Sequence, residues 1–189
     1  MQDDNSLMEL VKNGDKEAYN EIVRRHRAAA ISFAYSFFLD IHAAEDIVQD
    51  VFVNIYVKRD SYKPVCGFKT FLFRAVRNKS IDYLRRMKLR KTVDINDIAE
   101  SATELTGKLI SRSPEDEFIQ DEKIKFIFDL MNGLKDNYRT ALYLFAVEGA
   151  SYDEIAGIMK KSMAQVKILI YRARKKIKSQ YAEVYGNEI

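Results

Sequence analysis

Between Ser151 and Tyr181 the sequence begins a helix twice within eleven residues. Ser151-Tyr152-Asp153-Glu154 and Ser162-Met163-Ala164-Gln165 each carry the capping-box pattern, in which a Ser side chain takes an orphan N–H three residues on and a Glu or Gln reaches back. That spacing leaves room for about two helical turns and a tight connection. Behind the first box Tyr152, Ile155, Ala156 and Met159 recur at helical intervals, and behind the second Val166, Ile170, Ala173 and Ile177 do the same. Each helix therefore has one face to bury. The outer face of the second carries Lys167, Arg172, Arg174, Lys175, Lys176 and Lys178, with no acid between Glu154 and Glu183. Surface helices normally mix both signs, so a one-signed face behind a tight turn reads as a helix-turn-helix whose second member lies against phosphate.

Charge is unevenly placed along the 189 residues, although the net value is only +3. Residues 1–90 sum to +4, residues 91–122 to −6 and residues 123–189 to +5. Two basic blocks flank an acidic connector, an arrangement suited to two contacts with one polyanion. The 47% apolar content excludes disorder throughout. Cys66 is the single cysteine and has no internal disulfide partner, which favours an inert loop thiol in a reducing cytoplasm. The N-terminus lacks a basic region with an apolar core, and no run approaches the roughly 20 apolar residues that span a bilayer, so a soluble cytoplasmic chain without membrane insertion is expected.

From Ser6 onward the pattern is helical nearly throughout, with Pro64 and Pro114 as the only prolines. A short first helix uses Leu7, Met8, Leu10 and Val11 and closes at Asn13-Gly14. Asp15 caps a long second helix, on which Arg24, Arg25 and Arg27 read as ordinary surface charge. Asp40 caps a third, with the stripe Ala44, Ile47, Val48, Val51, Phe52 and Ile55 and an opposite face of Glu45, Asp46, Gln49, Asp50 and Asn54. Such an acidic face belongs in solvent or on a basic protein, and spacing by itself favours solvent. After the polar loop 58–67, a fourth helix runs from Phe68 to about Lys88. Its Lys69, Arg74, Arg77, Asn78, Lys79, Arg85 and Arg86 interleave with Phe73 and Tyr83, the mixture that single-stranded nucleic acid requires, unless those rings belong to a broad core face.

Residues 91–113 lose helical periodicity and read as a linker between domains at 5–90 and 114–182. Ser113-Pro114 opens a helix continued by Ile127, Leu130, Met131 and Leu134; Asp136 caps the next, with Tyr138, Ala141, Leu142 and Phe145 inward and Gly149 at its stop. His26 and His42 have no zinc-ligand spacing, the glycines form no phosphate-binding loop, and the carboxylate pairs sit at helix starts. No metal, cofactor or catalytic constellation is expected, and the chain does not read as an enzyme.

Three motifs resemble the bacterial RNA polymerase sigma factors of the sigma-70 family, in particular their extracytoplasmic function (ECF) group. They are Ala44-Glu45-Asp46-Ile47-Val48-Gln49-Asp50-Val51-Phe52; the run from Phe71 through Arg77-Asn78-Lys79-Ser80-Ile81-Asp82-Tyr83 to Arg86; and Tyr138-Arg139 through Ser151-Tyr152-Asp153-Glu154-Ile155-Ala156 to Tyr171-Arg172-Ala173-Arg174. The resemblance covers roughly residues 6–180. The family often has Gly where Lys160 stands, Thr at Gln165 and Ser at Ile168.

The resemblance implies an all-α fold of two small helical domains, region 2 and region 4, joined by a flexible acidic linker. It implies that Glu45, Asp46, Gln49, Asp50 and Asn54 bind the polymerase β′ clamp helices, displacing the solvent reading, and that the β flap is a second contact on core RNA polymerase. Lys63, Lys69, Arg74, Arg77, Asn78, Asp82 and Arg85 would melt and read the minus 10 element as non-template single strand, with a base flipped beside the 58–67 loop. Met163, Ala164, Lys167, Ile168, Tyr171, Arg172 and Lys175 would read the minus 35 duplex in the major groove. An anti-sigma protein is a further expected partner. The competing reading is a stand-alone helix-turn-helix regulator with a helical sensor domain. Joined only by a linker, the two domains are expected to move independently in solution or to be clamped by an inhibitor.

Overall fold

The computed structural model describes residues 2–94 and 128–185, and no strand occurs among them. Helix α1, Asp4–Lys12, starts where the Asp3 carboxylate accepts the N–H groups of Asn5 and Ser6. Helix α2, Lys16–Phe38, starts the same way on Asp15, and α3, Ile41–Val57, starts on Asp40. Between α2 and α3 the chain turns at Leu39, whose φ of 54° is left-handed. A single 3₁₀ turn, Arg59–Ser61, leads through the loop to α4, Phe68–Asp94, several residues longer than its stripe suggested.

These elements bury one apolar cluster, since the stripes of α2, α3 and α4 all turn toward it: Ile22, Phe33, Phe37, Val48, Leu72, Phe73 and Val76 are each 2% exposed or less. Helix α1 is held to α2 by more than apolar contact. Asp4 accepts from Arg25 Nη1 at 3.1 Å and lies 2.7 Å from His26 Nε2, while Arg25 also donates to Gln2 O. The arginine cluster of α2 is therefore not ordinary surface charge, because Arg25 staples two helices and Arg27 reaches Glu45 of α3 at 3.1 Å.

The second unit comprises helical residues 128–132, α5 (Asp136–Ala146), α6 (Tyr152–Met159) and α7 (Met163–Tyr185). Lys135, not Asp136, is the N-cap of α5, and it offers no side-chain bond; Asp136 lies inside the first turn and accepts from Arg139. Gly149, at φ 62°, lets the chain double back after α5 so that the Ala150 N–H donates to Leu144 O. Arg139, 4% exposed, donates to the carbonyls of Met131, Asn132 and Leu134 and so satisfies the end of the preceding helix. Burial lowers its pKa, with Asp136 opposing that shift.

The two units pack on each other, against the expectation of independent motion. Tyr143 of α5 is fully buried; its ring lies 5.1 Å from Phe33 of α2 and its hydroxyl donates to Ser32 Oγ at 2.7 Å. Phe128 stands edge-on to Tyr35 at 5.2 Å, and the Arg139 guanidinium lies over Phe37. Most of the acidic linker and the Ser113-Pro114 helix start lie outside the described residues.

Candidate functional site

Both capping boxes form as the spacing required. Glu154 N–H donates to Ser151 Oγ at 3.2 Å and Ser151 N–H returns to the Glu154 carboxylate at 2.8 Å; Gln165 and Ser162 exchange the equivalent bonds at 3.2 and 3.0 Å. Those bonds, more than charge, hold the Glu154 carboxyl below its usual range. Between the boxes the chain turns at Lys160, at φ 53°, where the family often has Gly. Helix α7 buries Val166, Ile170 and Ala173 and exposes Met163 (52%), Ile168 (49%) and Tyr171 (68%) beside Ala164, Arg172 and Lys175. The cations on this helix are not equivalent. Lys167 lies over the Tyr152 ring at 5.5 Å, Arg174 lies over Phe145 at 4.9 Å, and Lys176 donates to Gly133 O at 2.8 Å. The result is an exposed helix with apolar side chains toward its start and cations along its length, a shape and charge that fit a major groove.

A second site lies where α3, the 3₁₀ turn and α4 meet. A cavity of about 490 Å³ is lined by Ile55, Lys58, Tyr62, Lys63, Phe71 and Lys79 among others. Tyr62 forms its floor, 5% exposed, ring centroid 5.3 Å from Phe71 and hydroxyl donating to Asn5 at 2.9 Å; burial pushes its pKa up to about 12. Two rings framed by lysines give the cavity an apolar wall and a cationic rim, the combination that a stacked ring bearing a phosphate requires. That Tyr62 and Phe71 come together in this cavity was not legible in the sequence, since one reads as a loop residue and the other as a core residue. Phe73 is no stacking platform: it is fully buried against Phe33 at 5.2 Å. Tyr83 is half-buried against Phe38 at 5.1 Å.

The expected strand-contacting residues do not all reach this pocket. Lys63 lines it. Asn78, Asp82 and Arg85 are exposed farther along α4, with Arg85 donating to Asp82 at 2.9 Å. Lys69, Arg74 and Arg77 face the second unit instead: Lys69 pairs with Glu148 at 3.0 Å, Arg74 Nε and Nη2 both donate to Gly157 O, and Arg77 donates to Asn137 at 2.9 Å.

On α3 the acidic face is open. Asp46, Gln49, Asp50 and Asn54 are exposed, Glu45 is half-buried against Arg27, and Asp50 meets Lys79 at 2.9 Å. Glu45, Asp46 and Gln49 edge a groove with Tyr19, Val23 and Phe52, and Val53 beside it is 53% exposed. Carboxylates rimming exposed apolar surface suit a basic, partly apolar protein partner. Among the described residues no cluster of His, Cys, Asp or Glu could hold a metal ion, and no helix is long and apolar enough to cross a membrane.

A helix-turn-helix with a one-signed outer face, joined to a helical unit bearing a ring-lined basic pocket, defines a two-domain DNA-binding protein. Sequence comparison places it more closely. Residues 22–90 match the family profile for sigma-70 region 2, and residues 127–177 match that for sigma-70 region 4. The chain is 31% identical over 182 residues to an ECF RNA polymerase sigma-E factor of Haemophilus influenzae, covering 94% of each. It is 33% identical over 169 residues to the ECF sigma factor SigM of Bacillus subtilis, covering 89% of this chain and 98% of the relative. In fold it is similar to CnrH, solved in complex with the cytosolic domain of CnrY, at a TM-score of 0.71 and 24% identity over 95% of this chain and 97% of that one. RpoE of Bartonella quintana, solved with the anti-sigma factor NepR, gives a TM-score of 0.65 at 22% identity over 90% and 98%. The chain belongs to the ECF sigma factors. Its partners are core RNA polymerase and promoter DNA, and it directs the one to the other; the stand-alone regulator reading is not favoured.

Proposed function

We propose that three separate surfaces carry this activity. The acidic face of α3, with Glu45, Asp46, Gln49, Asp50 and Asn54, docks the clamp helices of polymerase. The pocket floored by Tyr62 and Phe71 holds a base flipped from the non-template strand, while Lys63, Lys69, Arg74, Arg77, Asn78, Asp82 and Arg85 track that strand. Met163, Ala164, Lys167, Ile168, Tyr171, Arg172 and Lys175 of α7 lie in the major groove at minus 35. The domains span 5–90 and 114–182 about the linker at 91–113, and the protein acts in the cytoplasm without catalysing a reaction itself.

The observation that carries this reading is the placement of charge: the groove edged by Glu45, Asp46 and Gln49 on α3 shares no residue with the lysine-framed pocket or with the basic α7, and the two α3 surfaces meet where Asp50 pairs with Lys79. A protein that must hold a basic partner and a polyanion at once needs such separation. Charge reversal tests it. Asp46→Lys should weaken capture of core polymerase at least tenfold while circular dichroism stays unchanged, because Asp46 is exposed on the face opposite the buried stripe. Undiminished capture overturns the docking assignment. An anti-sigma protein fits the same chain, since both structural neighbours were solved with a bound protein partner, one of them named as an anti-sigma factor.

A further inference from the structure

Helix α1 precedes residues 22–90, the stretch matched by the region 2 profile, yet one of its side chains reaches the floor of the lysine-rimmed cavity. The Tyr62 hydroxyl donates to Asn5 Oδ1 at 2.9 Å, across 57 residues of sequence. Because burial pushes the Tyr62 pKa up to about 12, the phenol keeps its proton at neutral pH and needs an acceptor, which Asn5 supplies. Asn5 is not one of the residues that line the cavity, so this bond turns the polar end of Tyr62 away from it. Around the same ring, Phe68 and Phe71 stand near edge-on at 6.2 and 5.3 Å, and Lys12 Nζ of α1 lies 5.7 Å from its centre.

Asn5 is itself held in place from several sides. Its N–H donates to the capping carboxylate of Asp3, and the neighbouring Asp4 accepts from Arg25 at 3.1 Å and lies 2.7 Å from His26 Nε2. The His26 ring in turn lies 5.4 Å from Phe68, while Leu7, Met8 and Val11 bury the inner face of α1 in the core. We propose that Asn5 is a positioning residue for the base pocket: acting through the Tyr62 hydroxyl, it fixes the ring on which the flipped base rests, with α1 as its rigid support. The inference rests on the flipped-base reading given above and adds to it how the aromatic floor is held. Apolar contact with Phe68 and Phe71 excludes water but is not directional, whereas a hydrogen bond fixes where the phenol points. A ring already in place spares an incoming base the side-chain entropy of ordering it. Deprived of Asn5, a buried phenol would be left without its acceptor and would turn to find another, carrying the ring with it.

Polymerase holoenzyme reconstituted with the full-length chain can be titrated with a single-stranded oligonucleotide carrying the non-template minus 10 element, and with a series in which an abasic site replaces each base in turn. With the unsubstituted chain, removing the base at one position should cost about tenfold or more in affinity, the order that one base stacked on a ring contributes. In Asn5→Ala that single penalty should shrink severalfold, while the penalties at the other positions and the capture of core polymerase stay as they were. Tyr62→Phe removes the same bond from its other end, so it should shrink the same penalty, and the double variant should shrink it no further. Asn5→Asp keeps an acceptor at that place and should restore the penalty. An Asn5→Ala chain that retains the full penalty overturns the positioning role and leaves the flipped-base reading standing. So does one that loses affinity at every position together with polymerase capture, which would make Asn5 a residue of the fold alone. A flat series with the unsubstituted chain overturns the flipped-base reading itself, and this inference with it.

Discussion

Lys160 shows how a single residue carries strain for the sake of a turn. An L-residue at φ 53° places Cβ against its own backbone at a cost of about 1 to 2 kcal/mol, which Gly avoids. Lys160 is exposed, so Lys160→Gly should raise stability by about 1 kcal/mol in thermal melts and leave promoter choice unchanged. Leu39 shares the conformation but packs partly against the core, and losing that burial, roughly 1.5 to 3 kcal/mol at most, cancels the gain there. Arg139 is the opposite case. Its buried guanidinium closes one helix and opens the next, so Arg139→Ala should cost more than about 2 kcal/mol in denaturant melts. Two glutamates contribute to the pH dependence of stability on the acid side. Hydrogen bonds from Arg24 and Arg25 bring Glu21 down to about 2, and the capping box lowers Glu154 from 4.5. Both are more acidic folded than unfolded, so their contribution is present above pH 4.5 and is lost as pH falls below it, for Glu21 through about 2. Glu21→Gln and Glu154→Gln should each flatten the fall in melting temperature over that window.

At the scale of elements, helix α7 divides its cations by what else they touch. Arg174 and Lys176 hold region 4 together through Phe145 and Gly133, whereas Arg172 and Lys175 extend from the exposed face. Arg172→Ala should therefore relax base preference at one position of the minus 35 site, by about 1 to 3 kcal/mol in competition binding. Lys175→Ala should weaken all duplexes alike and lower the salt slope by about one. The helices themselves were readable because their caps and stripes are local: Asp15, Asp40 and Ser151 all cap as their positions suggest. Asp136 was misread because its own helix start is capped by backbone geometry at Lys135. Phe73 was left open and Tyr143 was missed for a different reason. Both sit beside the expected inward stripes, and what covers them is another helix, which periodicity within one helix does not register.

For the whole molecule, the two domains were legible as separate units because each has its own apolar faces, but their mutual packing was not, since it rests on a carbonyl, a glycine and a few long side chains. The contact between the domains depends little on ionic strength: in the Lys69–Glu148 pair the carboxylate is only 11% exposed, and Tyr143 is fully buried. Added salt should therefore expand the free chain only slightly in scattering, whereas Gly157→Leu should expand it more, because a Cβ at residue 157 would already lie 3.2 Å from Thr70 Cγ2. The acceptor for Arg74 belongs to the main chain, and this has a genetic consequence. No substitution on region 4 can delete that oxygen, and substituting Arg74 to free the domain also removes a residue proposed to hold the promoter strand. Random variants that keep promoter-dependent transcription should thus show a lopsided spectrum. It should include changes at Glu148 and Asn137 and be empty at Arg74, so that one side of the contact drifts under selection while the other is held by its second duty.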